Sequence, residues 1–352
     1  MSKYDEVVGD HILISYFVKY DVLSTMINSE FYNSDCEEVN IFIDAYSMIK
    51  SIYNLDPSQF IDRYSIASCI INACAHYRNF FWTRYKVTTK IWIVYSDMSQ
   101  SIYEARKFYP EYGNIFTDSI NGPMLQMIKG NIDILNMICP YIPDIKFIYS
   151  HYEPGLVFGK IYISEYGNKP SFIISKDPWN LQPVSQTNNI YMIRPMKKNG
   201  EDLSVLISNK NSLAYYAALR KVKSFPKNIG PEYLPFIIAS TRFPERNMKS
   251  LHNISSILKA LSTLIDLNKI STGSVVYDTT GLCGILNSII KNLKSYEIEL
   301  RMNAIGYFNC MNRYIMSSLT DDISITNLYD TDSVKRINET YFSKVPLDLM
   351  SL

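Results

Sequence analysis

Four carboxylates in this chain recur at one kind of position. Asp44 follows VNIFI, Asp97 follows KIWIVYS, Glu153 follows DIKFIYSHY, and Asp177 follows PSFIISK. Each preceding run is short, apolar and rich in β-branched and aromatic residues, the pattern of a strand buried on both faces. In a parallel sheet the carboxyl ends of the strands line one crevice, where ligands usually bind. Carboxylates converging there repel one another unless a divalent cation sits among them. Hard oxygen donors suit Mg2+ or Mn2+, and such an ion can activate water and clamp a phosphodiester. Asp44, Asp97, Glu153 and Asp177 are therefore the expected metal ligands and catalytic acids. The plainer alternative is that Asp is ordinary strand-to-loop punctuation.

The elements that must position these acids are legible as periodicity. Strands are expected at 39–43, 90–97, 144–150, 170–177 and 188–195. Amphipathic helical spacing covers 4–30, 47–53, 57–83 (opened by Asp56-Pro57-Ser58), 118–138 and 156–161. Alternation of strand and helix predicts an α/β fold, a parallel twisted sheet flanked by helices. Beyond about 200 the strand signal fades, and 212–222, 246–262, 282–294 and 302–317 read as helices. The expected organisation is a helical extension over 1–36, an α/β core over 37–200, a mainly helical region over 201–317 and a polar tail over 318–352, with the seam near 199–210.

Composition narrows the function classes. The 352 residues carry 35 basic and 34 acidic side chains, so any nucleic-acid surface must be local rather than a basic coat. With 47% hydrophobic residues the chain can bury a sizeable core. No apolar run approaches the roughly 18 residues of a membrane span, and the opening MSKYDEVVGDHILISYF does not read as a signal peptide. The six cysteines have no CxxC spacing and the four histidines no zinc-like pairing. Reduced core thiols imply a cytoplasmic protein. The bias toward Ile, Tyr, Asn and Lys suggests an AT-rich genome such as that of a virus or phage, which would place the protein in host cytoplasm.

The order of these segments resembles the 5′-nuclease family, the flap endonucleases and phage-type 5′–3′ exonucleases with a PIN-like fold. IFIDAYSMI resembles the family's first strand, with Asp44 at its metal-binding position. IVYSDMSQSIYEARKFYPEYGN resembles the second strand and the basic, Tyr-Pro-x-Tyr-containing stretch leading into a helical arch, here Asp97, Arg106, Lys107, Tyr109, Pro110 and Tyr112. YSHYEPGLVFGKI resembles the family's acidic turn opening a helix, and FIISKDPWNLQPV its Ser-x-Asp-x-Asp-x-x-Gln-Leu segment. The resemblance implies a PIN-like sheet, Mg2+ or Mn2+ held by the four acids, and Arg106 and Lys107 steadying developing charge. The sequence also departs from the family. Pro154, Gly155 and Leu156 stand where further acids are expected, Trp179 replaces a second Asp, and 242–261 lacks the glycine-rich duplex grip. One cation site is expected to survive, and the other to be stripped of its ligands.

Basic and aromatic residues supply the candidate nucleic-acid surface: Arg84 and Lys86 before the second strand, Tyr109 and Tyr112 after it, then Lys197, Lys198, Arg246 and Lys249. Arg84 and Lys86 are expected to face the crevice. The terminal KVPLDLMSL offers Leu347, Leu349, Met350 and Leu352, a pattern similar to peptides that dock on sliding clamps. Three functions follow. The first is a nucleic-acid-binding protein with a reduced acidic site, inactive as a nuclease and serving phage or viral DNA replication or transcription on DNA flaps, junctions or single strands, or on RNA. The second is an active Mg2+-dependent 5′-nuclease. The third is a structural or virion-associated protein.

Overall fold

The computed structural model describes residues 36–55, 64–107, 122–165, 169–198, 201–222, 225–242 and 330–342, with isolated positions between 262 and 347. The expected helices at 4–30 and 282–294, most of 246–262, and Tyr109, Tyr112, Arg246, Lys249, Leu349, Met350 and Leu352 lie outside them.

Strands β1 (Glu38–Asp44), β2 (Thr88–Ser96), β3 (Ile145–Ser150), β4 (Ser171–Ile174), β5 (Ile190–Lys198) and β6 (Glu201–Ile207) form one sheet in the order β3-β2-β1-β4-β5-β6. All pairings are parallel except β5 with β6, which is antiparallel. The fold is therefore α/β, as the alternation predicts. The α-helices among the described residues are α1 (Ala45–Leu55), α2 (Ser65–Tyr85), α3 (Ser99–Arg106), α4 (Gly122–Ile138), α5 (Pro154–Glu165), α6 (Leu181–Val184), α7 (Asn209–Leu219), α8 (Leu234–Arg242) and α9 (Thr331–Tyr341).

Period-two alternation divides the sheet into two buried faces. Val39, Ile41 and Ile43 of β1 face α1, α2, α4 and α9, while Phe42 faces α5 and α8. Phe42 stacks on Phe158 at 5.3 Å, and burying one such side chain contributes about 1.5–3 kcal/mol. Burial on both faces explains why β1 and β2 read as continuous apolar runs.

Three expectations are corrected. Residues 201–207 form β6, so the seam near 199–210 falls within the β5–β6 hairpin, where Lys197 stands opposite Asp202 and Lys198 opposite Glu201. DLSVLI is too short and too polar at its start to register as a strand by itself; its partner β5 supplies the order. Helix α2 starts at Ser65, not near Pro57, with Tyr64 as its N-cap. In the tail, Thr331–Tyr341 is a helix capped by Asp330, and Leu347 is buried in the core with its backbone N–H donating to Asn338 Oδ1 at 2.7 Å. Leu347 thus docks on its own domain and is not an exposed anchor for a clamp.

Tyr64 gives α2 no side-chain cap. Buried Asn131 of α4 substitutes from outside: its Oδ1 accepts from Ala67 N at 2.7 Å and its Nδ2 donates to Met127 O at 2.9 Å. Asn131→Ala should cost about 1–2 kcal/mol by removing two buried hydrogen bonds while Ala67 N–H keeps its 3.0 Å bond to Tyr64 O, measured as a shift of the urea midpoint at unchanged slope.

Candidate functional site

The strand order reverses between β1 and β4: β2 and β3 extend one way from β1, and β4 to β6 the other. Such a switch point opens a crevice at the carboxyl ends of the strands. Asp44 closes β1 there, and Ser175 follows β4 beside it. Asp44 is buried, and its carboxylate is occupied by protein donors. Oδ1 accepts from Ser47 N at 3.0 Å, and Oδ2 accepts from Ser175 Oγ at 2.8 Å and from Asn180 Nδ2 at 2.9 Å. Burial first, and the nearby Asp177 charge second, push its pKa up to about 6 against these hydrogen bonds.

Asn180 is held in that position by a glycine. A Cβ on Gly155 would lie 2.9 Å from Asn180 Oδ1 and 3.4 Å from Asn180 Cα, so a larger residue would displace the amide. Pro154 and Gly155, which depart from the acidic pattern, therefore have a local explanation. Pro154 opens α5 and Gly155 makes room for Asn180.

Asp177 caps the turn at Pro178–Asn180, its Oδ1 accepting from Trp179 N at 2.9 Å. Burial raises its pKa, and the charges of Arg194, Arg220 and Lys50 oppose that rise. Arg194 leaves β5 at this same end of the sheet, with its guanidinium hydrogen-bonded to Tyr215 Oη and 5.7 Å from that ring. Arg220 lies over Tyr216 at 5.5 Å. The crevice thus joins two carboxylates disfavoured as anions to three cations.

Asp97 belongs to a different cluster. It follows β2, next to the end of β3, and binds the residues of that edge. Its Oδ1 accepts from Ser99 N at 2.9 Å, its Oδ2 accepts from Tyr149 Oη–H at 2.9 Å, and His151 Nδ1 lies 3.1 Å away. Burial works to raise its pKa, but the Ser99, Tyr149 and His151 hydrogen bonds outweigh it and hold the carboxyl below its usual range. Glu153 is buried at the entrance to α5, its backbone N–H donating to Ser101 Oγ at 3.0 Å.

Thus Asp44 meets Asp177, while Asp97 meets His151, Tyr149 and Ser99. Among the described residues no three His, Cys, Asp or Glu side chains come together to hold a metal ion. Among the described residues the four acids do not gather into one centre, and Asp44's oxygens already receive three protein donors. Arg84 and Lys86 are also relocated. They precede Thr88, at the amino end of β2, about 30 Å of strand away from Asp97. They flank exposed Trp82, with Lys86 Nζ 5.7 Å from its ring. Arg106 and Lys107 end α3 at the surface, and Lys107 pairs with Glu104 at 2.8 Å. Asn180, Ser175, Tyr149 and His151 join the site from within the segments already singled out, though none was singled out as a site residue. For the last two a signal exists, since adjacent strands β2 and β3 must bring 97 and 149–151 together.

Five described cysteines are free, and burial pushes the Cys69 thiol up to about 12. No helix among the described residues is long and apolar enough to cross a membrane.

No family model and no curated protein matches the sequence. The fold is similar to those of solved structures that include T5 5′-exonuclease with bound zinc (TM-score 0.44, 10% identity, 79% of this chain and 97% of that one), the bacteriophage T5 flap endonuclease in a pseudo-enzyme-product complex with DNA and metal ions (0.45, 10%, 89% and 98%), and the catalytic core of Rad2 in complex with DNA substrate (0.40, 8%, 88% and 88%).

Proposed function

We propose that this chain is a nucleic-acid-binding protein on a 5′-nuclease-like scaffold whose acidic crevice does not perform metal-dependent cleavage. The observation that carries this reading is the closure of Asp44 by Ser47, Ser175 and Asn180. A carboxylate that already accepts from three protein donors has little left to offer a cation, and burial further disfavours its charged form. The charges around it suit a polyanion. Lys50, Arg194 and Arg220 act on Asp177 and set three cations against the two crevice acids. The sequence resemblance points the same way, and a role in phage or viral replication or transcription belongs to the same proposal.

The test is incubation of the full chain with an end-labelled 5′-flap duplex and a matching single strand, in Mg2+, in Mn2+ and in EDTA. The expected result is salt-sensitive binding of equal strength in all three, with intact substrate. Metal-dependent cutting that disappears in Asp44→Ala would overturn the reading in favour of an active nuclease. Salt-insensitive or undetectable binding would leave a structural protein.

A further inference from the structure

We infer that the exposed rings of Tyr149, His151 and Tyr103 form a stacking surface for the bases of a single-stranded nucleic acid; this rests on the nucleic-acid reading above and assigns that binding a place and a strand type.

Exposed large aromatic side chains are uncommon, and here three rings lie on one strip. Tyr149 is 48% exposed, Tyr103 is 59% exposed, and the His151 side chain is 60% exposed. Tyr149 and His151 are 5.4 Å apart between ring centroids. His151 Nδ1 lies 3.1 Å from Ser99 Oγ, and Ser99 and Tyr103 are four residues apart on α3, hence on one helix face. Behind Tyr149 the rings continue through Tyr95 at 5.5 Å to Tyr46 at 6.4 Å. Tyr95 is buried, so the exposed strip itself spans Tyr149 and His151 at the end of β3 and Tyr103 on α3, with Tyr95 packed behind it.

Two features suit this strip to bases rather than to bulk solvent. First, the rings are fixed. The single carboxylate of Asp97 accepts from Tyr149 Oη–H and lies within hydrogen-bonding distance of His151 Nδ1, so both rings are oriented before any ligand arrives. Pre-orientation lowers the entropy lost on binding. Second, cations stand beside the rings. Lys50 Nζ lies 5.9 Å from the Tyr46 ring and Lys107 Nζ 4.7 Å from the Tyr103 ring, with exposed Arg106 adjacent. The local carboxylates are engaged within the protein: Asp97 by the edge residues, and Glu104 by Gln100 at 3.0 Å and Lys107 at 2.8 Å. Aromatic faces with flanking ammonium groups are the chemistry that holds single strands without sequence preference. In a duplex the base faces are already stacked on one another, so a duplex cannot use these rings.

The experiment is fluorescence anisotropy with the full chain in EDTA. The probes are labelled oligo-dT, an abasic strand of equal length and charge, and a blunt duplex. Oligo-dT should bind at least about tenfold more tightly than the abasic strand. The double variant Tyr103→Ala/Tyr149→Ala should lose about 10- to 100-fold for oligo-dT and little for the abasic strand, whereas Tyr103→Phe retains most affinity and Tyr149→Phe, which keeps the ring but frees it from Asp97, loses less than Tyr149→Ala. Circular dichroism and thermal melting verify that each variant is folded. Equal affinity for oligo-dT and abasic strand, or undiminished binding by the folded alanine variant, overturns this inference and leaves the nucleic-acid reading standing on phosphate contacts. Failure of all three probes overturns both. Self-association lost in the double alanine variant would assign the strip to a second copy of the chain instead.

Discussion

Asn180→Asp should turn the closed crevice into a cation site. Asn180 now donates its amide to Asp44 Oδ2 at 2.9 Å and to Ser175 Oγ at 2.8 Å. Replacing that donor with a carboxylate leaves three acids, Asp44, Asp177 and the new one, in one buried place. In EDTA the variant should lose about 3–5 kcal/mol, since an uncompensated buried charge is left where a charge-assisted hydrogen bond had been. That loss corresponds to a fall in Tm of roughly 4–7 °C for a chain of 352 residues. Mn2+ or Mg2+ should restore most of it by binding only the folded state, while the wild-type Tm stays unmoved by either ion. Melting curves with and without metal decide the matter. A variant as stable as wild type in EDTA, or one indifferent to Mn2+, would show that the amide does not stand in for a cation.

The second large effect is on pH. Asp44 has a folded-state pKa of about 6 against an ordinary 3.8. With its pKa raised, the folded state binds the proton more tightly than the unfolded chain. The stabilisation is therefore complete below about pH 4 and is lost as pH rises through about 6, a change of about 3 kcal/mol from this group. Asp177 is shifted in the same direction. Asp97 and Asp330 are shifted down, so their contribution is present at neutral pH and lost on acidification below the usual carboxylate range. Urea titrations across pH 4–7 should show wild-type stability falling over that interval, and Asp44→Asn should flatten most of the slope whatever its absolute stability. An unchanged slope in the variant would mean that Asp44 ionises normally and that its hydrogen bonds outweigh burial.

Local pattern in the chain carries the architecture well. β1 and β2 are readable because strands buried on both faces need unbroken apolar, β-branched runs, and Gly122–Ile138 because a helix packed on a sheet repeats its apolar positions. Elements whose order comes from a partner are not readable. β6 owes its extension to pairing with β5, and Leu347 its burial to a surface formed by distant residues. The start of α2 is misplaced by local pattern because Asn131, from another helix, supplies the side-chain acceptor that the N-cap Tyr64 does not.

The candidate site divides in the same way. Residue type and strand position alone determined that Asp44, Asp97 and Asp177 would stand at the carboxyl edge of a parallel sheet, because period and strand length are local properties of the chain. Which of them meet was decided only by tertiary structure. Strand order set Asp44 beside Ser175 and Asp177, and Asp97 beside Tyr149 and His151, and the missing Cβ of Gly155 let Asn180 reach Asp44. Whether a carboxylate holds a cation or accepts hydrogen bonds from its own protein depends on which donors come within about 3 Å of it, and two of the three donors to Asp44 come from a segment more than a hundred residues away in sequence.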